Sequence, residues 1–282
     1  MTKTRPRTDL YRSRFGLRHH PLPRDAAGPS FFDQTVGIKR LERYFQDLLD
    51  EPGLGVLTAA PGVGKTAAIR NLCASLPEPD FRVVYLCDTA VTACDLYRTL
   101  ALELGLKPAH RRAQLWWDLK RTIAHLVEQQ HTLPVLVIDE AQQLSDEFLG
   151  DLGGFLNFAF DRKTLLTLWL VGLPQLTVRL RMRHHAPLAT RIVAHVQLEP
   201  LGREDFAALI AHGAKAAGAR EKLLDETALE LLWRASGGVP RVASRLLRAA
   251  LGQAHDLNKN LVDEQAMVAA VDELTPPKET KP

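Results

Sequence analysis

Lys65 and Thr66 close the run Ala59-Ala60-Pro61-Gly62-Val63-Gly64-Lys65-Thr66, and Asp139-Glu140 follow the apolar run Val135–Ile138. Together these residue types can grip and cleave a triphosphate. Gly62 and Gly64 let the backbone bend so that successive N–H groups converge on phosphate oxygens. Lys65 offers a cation to the β- and γ-phosphates. The Thr66 hydroxyl offers a magnesium ligand at a helix start, where anions are favoured. Pro61, Val63 and Ala67 complete the expected cradle. Asp139, at a strand's carboxyl end, is the second expected metal ligand, usually through water. Glu140 then polarises the attacking water, since phosphoryl transfer is mostly positioning plus charge stabilisation. The usual loop pattern opens with glycine, whereas this chain has Ala59, a change that by itself removes no phosphate contact. A lone Gly-Lys-Thr also fits an ordinary strand-to-helix turn. The acidic pair on a buried strand tips the reading to a nucleotide site using ATP and Mg2+, with Lys65 and Glu140 as catalytic residues.

The surrounding pattern must position these groups. Apolar β-formers at Val56-Leu57, Phe81–Leu86, Val135–Ile138, Leu165–Val171 and Val193–Leu198 read as strands. Amphipathic stretches at Arg40–Leu49, Ala67–Leu76, Leu96–Leu104, Leu115–Gln130 and Phe148–Phe160 read as helices. Val36-Gly37-Ile38 precede the first of these. Strands alternating with helices predict an α/β fold with a parallel sheet flanked by helices, the ligand lying beyond the strands' carboxyl ends. From Leu201 the pattern changes to helices alone: Asp205–Ala217, Asp225–Ala235, Arg241–Ala254 and Asp263–Leu274, broken by Ser236-Gly237-Gly238-Val239-Pro240. The expected division is a basic arm at 1–30, a nucleotide-binding domain at 31–200, a helical domain at 201–274 and a polar tail at 275–282.

Composition sets limits. The chain has 282 residues, with 36 Lys+Arg against 33 Asp+Glu and a net charge of +3, too mild to identify a nucleic-acid partner unaided. No apolar run is long enough to span a bilayer, and no secretory h-region follows the basic N-terminus. Cys73, Cys87 and Cys94 lack metal-like spacing and read as reduced thiols of a cytoplasmic protein. Lys3, Arg5, Arg7, Arg12, Arg14, Arg18 and Arg24 meet only Asp9 before Asp25, which suits either a solvated tail or an arm touching a polyanion or a neighbouring subunit. Phe15-Gly16-Leu17 and Phe31-Phe32 are apolar anchors on which part of it docks.

With these parts in order, the chain from Phe31 to Leu274 resembles an AAA+ ATPase: a P-loop sheet domain followed by a small helical lid. Val36-Gly37 resembles the segment lining the adenine pocket. Gly238-Val239-Pro240-Arg241 resembles the second sensor, which implies that Arg241 reaches the γ-phosphate. Leu188-Ala189-Thr190-Arg191-Ile192 resembles the segment bearing the arginine finger given to a neighbouring subunit, with Arg179, Arg181 and Arg183 as competitors for that role. The resemblance implies a homo-oligomer, ring or helical filament, with sites between protomers. The first sensor is expected near Leu173, which has no polar side chain; Gln175 or Thr167 are the candidates to replace it, and slow turnover is expected.

Arg14-Phe15-Gly16-Leu17 with Pro21, Pro23 and Phe31-Phe32 resembles the opening of ExeA-like ATPases, a group that includes TniB/TnsC-type regulators of transposition. Asp88–Leu106 resembles the extra helical element of the initiator-like clade, which lines a DNA-facing channel. Lys107, Arg111, Arg112, Lys120 and Arg121, with Trp116-Trp117 among them, are then the candidate DNA contacts; the alternative is solvated helix charge and a core tryptophan. The leading expectation is an ATP-dependent regulator of DNA transposition that assembles on duplex DNA without sequence preference and engages a transposase. The alternatives are an ExeA-like ATPase of envelope secretion, disfavoured by the short polar end of the chain, and a signalling NTPase that binds protein partners.

Overall fold

A computed structural model describes residues 7–158 and 164–274. The charges at Lys3 and Arg5, the end of the expected Phe148–Phe160 helix and the tail at 275–282 lie outside them. Helix α1 (Arg7–Phe15) opens the described chain and belongs with the C-terminal helices, not with the strands. Residues 36–61 and 68–198 form one compact unit; residues 7–35, 62–67 and 199–274 form the other.

The first unit is a parallel α/β sheet. Helix α2 (Val36–Asp50) packs its Leu41, Phe45 and Leu48 inward, and Val36 and Gly37 form its first turn instead of preceding it. Strand β1 (Leu54–Ala59) leads to helix α3 (Lys65–Ala74), then strand β2 (Phe81–Leu86), helices α4 (Ala93–Glu103) and α5 (Arg112–Gln129), and strand β3 (Leu133–Ile138). Helix α6 (Asp146–Phe155), strand β4 (Thr167–Gly172), helices α7 (Gln175–Leu180) and α8 (Ala186–Ala189), and strand β5 (Ile192–Leu198) complete it. The strand order is β2-β3-β4-β1-β5, every pairing parallel. Every residue of β1 and β4 is buried, as strands covered on both faces require. Close packing at the centre needs a glycine: a Cβ at Gly55 would lie 2.7 Å from the Trp169 ring, which stacks on Phe45 at 6.0 Å.

In the second unit, helices α9 (Arg203–Ala216), α10 (Glu226–Ser236), α11 (Pro240–Asp256) and α12 (Glu264–Leu274) share a core of Phe206, Leu232, Leu247, Ala250 and Met267. Tyr11, Phe15, Leu17 and Leu22 are buried in that same core. Of the two anchors expected in the basic arm, the one at Phe15 and Leu17 is thus packed among these helices. Tyr11 and Phe15 are one helical turn apart and share a face, so α1 has an apolar stripe to bury despite its arginines. Arg14 is held too: its Nε donates to the Lys259 carbonyl at 2.8 Å, and its guanidinium also reaches the Asn258 carbonyl at 2.6 Å. The Arg18 N–H donates to Ala217 O at 2.8 Å, and Ser244 Oγ to Leu22 O at 2.7 Å.

Candidate nucleotide site

The glycine loop leaves β1 at the carboxyl edge of the sheet. Ala59, the position where the pattern usually has glycine, is the last residue of β1 and fully buried, so the departure falls on the strand and not in the turn. Gly62 and Gly64 have φ of +85° and +119°, backbone that side-chain-bearing residues rarely adopt. They turn the chain into α3, which begins at Lys65 itself. Lys65 is buried and Thr66 half-buried at that helix start. The turn is further shaped by α11. The Arg241 N–H donates to Gly62 O at 3.2 Å, and a Cβ on Gly62 would lie 2.9 Å from the Arg241 Cβ. Gly238, at φ +71°, lets Leu201 approach so closely that a Cβ there would sit 2.2 Å from the Leu201 carbonyl oxygen. Pro240 then opens α11 with Arg241 exposed in its first turn.

The acidic pair stands on the same edge of the sheet, one strand beyond β4. Asp139 is buried directly after β3. One carboxylate oxygen accepts the Tyr85 hydroxyl at 3.0 Å and the other the Glu140 N–H at 2.8 Å. Burial, then the Asp139 charge, pushes the Tyr85 phenol well above its ordinary value, so it stays a donor. Glu140 adopts left-handed backbone at φ +52°, an uncommon state for a non-glycine residue. Thr89 Oγ1 donates to its carbonyl at 3.0 Å. Its carboxylate accepts from Gln142 Nε2 at 2.7 Å, while Gln142 Oε1 accepts the Leu173 N–H at 3.0 Å. Thr66 in its unit and Asp139 in the other each carry an oxygen donor of the hard type magnesium takes.

Residues 48–180 match the family model described as AAA domain. This segment, a little under half of the chain, is therefore similar to an AAA domain. The chain is 33% identical over 246 residues to the general secretion pathway protein A of Aeromonas hydrophila, covering 86% of this chain and 44% of that protein. It therefore spans less than half the length of that curated relative. The fold of the Aeropyrum pernix ORC2 protein, solved with ADPNP and ADP, matches with a TM-score of 0.68 at 18% identity over 90% of this chain and 71% of that one. Drosophila ORC bound to DNA matches with a TM-score of 0.71 at 15% identity over 98% of this chain and 68% of that one. The parallel sheet with flanking helices is thus the P-loop AAA+ fold.

Within the sheet unit the structure separates the arginines. Arg179 donates to Gln142 O at 2.8 Å and Leu144 O at 2.7 Å, and also pairs with the Asp146 carboxylate. It is therefore engaged inside its own chain. His185 Nε2 lies 3.1 Å from the same carboxylate, and His184 is close by. Arg179 supplies the cation of that cluster and, with His185, holds the Asp146 carboxyl below the usual range. Arg181 and Arg183 are exposed, and Arg191 sits half-buried in the turn before β5. Neither expected replacement for the first sensor stands beside Glu140 by a described hydrogen bond. Thr167 begins β4, at the far end of the strand, and donates to the Leu48 carbonyl. Gln175 is exposed at the start of α7. Gln142 is the residue that sequence reasoning does not single out, and its one signal is its place two residues past the acidic pair.

The expected DNA contacts divide as well. Lys107 and Arg111 are exposed, and Arg121 is 72% exposed with Asp118 at 3.7 Å. Arg112 instead pairs with Glu147 at 3.0 Å and with Asp151. Lys120 donates to Gly154 O at 3.0 Å and to Asn157 O, lies 4.7 Å from the Phe158 ring centre, and has its pKa lowered by burial. Those two side chains bind α5 to α6 and its exit, a structural role sequence spacing does not reveal. Trp116 packs edge-on against Tyr97 and Phe155 at 5.4 and 5.3 Å, whereas Trp117 is 62% exposed one helical turn from Arg121.

Proposed function

We propose that this protein is an ATP-hydrolysing AAA+ regulator that assembles on duplex DNA when ATP is bound and serves DNA transposition by recruiting or activating a transposase. The observation that carries the ATPase part is the occurrence of a positive-φ glycine turn, braced by Arg241, together with the hydrogen-bonded Asp139-Glu140 pair. In this reading the N–H groups of 62–67 and Lys65 hold the β/γ-phosphates, and Arg241 senses the γ-phosphate. Val36, exposed on the first turn of α2, and Gly37 border the adenine. Magnesium, when bound, neutralises phosphate charge; Thr66 and Asp139 are the side chains to hold it. Glu140 orients and deprotonates the attacking water. Arg191, in the turn before β5, is the finger offered to a neighbouring copy.

The DNA part is supported by the exposed cations Lys107, Arg111 and Arg121 and by the exposed Trp117, one helical turn from Arg121, groups suited to a polyanion. Repeated in an oligomer, such modest attractions add up. The DNA named with the Drosophila ORC structure agrees with this reading. Recognition is of the backbone and so sequence-tolerant. A cytoplasmic location fits, and among the described residues no helix is long and apolar enough to cross a membrane.

A second reading, an ATPase of envelope secretion, is favoured by one specific observation, the 33% identity to a general secretion pathway protein. Electron microscopy of the protein with duplex DNA and a non-hydrolysable ATP analogue separates the two. Ordered assemblies around the duplex are expected; nucleotide binding without any assembly on DNA sinks the transposition reading and promotes secretion. Glu140→Gln should keep ATP bound and stop turnover, trapping the assembled form.

A further inference from the structure

Glu140 is held at more points than a surface glutamate needs. Its N–H is tied to Asp139 Oδ1 at 2.8 Å, its carbonyl to Thr89 Oγ1 at 3.0 Å and its carboxylate to Gln142 Nε2 at 2.7 Å. The last tie has a defined polarity. The Leu173 N–H can only donate, so the Gln142 oxygen must face it and the Gln142 amino group must face Glu140. The Gln142 main chain is fixed in turn by Arg179, which donates to its carbonyl at 2.8 Å while bound to Asp146. The glutamine lies against the end of β4 with no space to spare: a Cβ on Gly172 would come within 2.6 Å of Gln142 Oε1. Leu173, the position expected to carry a polar side chain, thus contributes its backbone N–H, and the side chain of Gln142 relays that contact to Glu140.

We infer that Gln142 is a positioning residue for Glu140: it aims the carboxylate at the attacking water and replaces the polar side chain that Leu173 lacks. The inference rests on Glu140 acting as the base. A long, flexible glutamate loses orientation without its partner, and a misplaced base slows the chemical step while leaving phosphate binding untouched.

The test uses the full chain, with steady-state ATP turnover, ATP affinity by calorimetry and thermal melting measured for each variant. Gln142→Ala should lower kcat about ten- to a hundredfold with KM and ATP affinity within about twofold of the parent. Gln142→Glu retains an oxygen for the Leu173 N–H but sets a second carboxylate against Glu140, so it should melt somewhat below the parent and turn over at least as slowly as the alanine variant. Gly172→Ala, which displaces the carboxamide without altering it, should show the same kcat loss. If Gln142→Glu, or a folded Gln142→Ala, turns over at or above the parental rate, Gln142 is only a structural tie and the inference falls. Glu140→Gln is the separate control: parental turnover there overturns the base assignment itself, and this inference with it.

Discussion

The main-chain N–H of Arg241 donates to the Gly62 carbonyl at 3.2 Å, so the first turn of α11 braces the phosphate loop. The same approach leaves no room for a side chain on Gly62, whose φ is +85°. Gly62→Ala should therefore strain the turn and push Arg241 away, destabilising the protein by about 1–3 kcal/mol and weakening ATP binding. Chemical denaturation and calorimetry with ATP read both effects. Parental stability and affinity in this variant would show that the loop does not need the brace.

Lys65 is the cation of the loop and is buried. Lys65→Ala should weaken ATP binding about ten- to a hundredfold, matching the loss of roughly 1.5–3 kcal/mol for a hydrogen bond to a charged group. Assembly on DNA should be lost with it. An unchanged dissociation constant in calorimetry removes Lys65 from phosphate recognition.

The basic surface around α5 can be tested against its structural counterpart. Replacing Lys107, Arg111 and Arg121 with glutamine should flatten the plot of log DNA affinity against log salt, its slope shrinking by about 0.9 for each phosphate no longer neutralised. ATP binding should stay intact. Lys120→Met should instead lower the melting temperature, because the α6 exit is deprived of a donor to the Gly154 and Asn157 carbonyls, about 1 kcal/mol. If the triple variant keeps the parental salt slope, those charges are ordinary surface.

His20 makes the helical unit acid-sensitive. Its pKa is lowered from 6.5 to about 4, chiefly by burial and further by Arg248 and Arg12, against a smaller opposing effect of the Leu22 carbonyl. The native state holds the neutral ring, so the unfolded chain takes up a proton that the folded one refuses. Stability is therefore full above about pH 6.5 and falls as the pH drops to about 4, by a total on the order of 3 kcal/mol. His20→Asn, which keeps an acceptor for the Leu22 N–H, should flatten this part of the stability–pH curve. Denaturant titrations across that range check it; an unchanged slope would place the sensitivity elsewhere.

Local chemistry is legible from residue order. A glycine turn before Lys65-Thr66 and an acidic pair after Val135–Ile138 are short-range patterns whose backbone demands travel with the residues themselves. The strand at Phe81–Leu86 is legible to the residue for the same reason. Helix starts are harder to place: α5 begins at Arg112, not Leu115, because its polar first turn adds nothing to an apolar period. What only the tertiary structure decided is which polar groups are already spoken for. Arg179 meets Asp146, Arg112 meets Asp151, Lys120 meets the end of α6, and α1 is buried among helices near the other end of the chain. Gln142 belongs with these, because its partner Leu173 lies across the sheet edge. Such pairings depend on which distant segments the packed strands and helices bring within hydrogen-bond reach, and that distance is written in no single stretch of sequence.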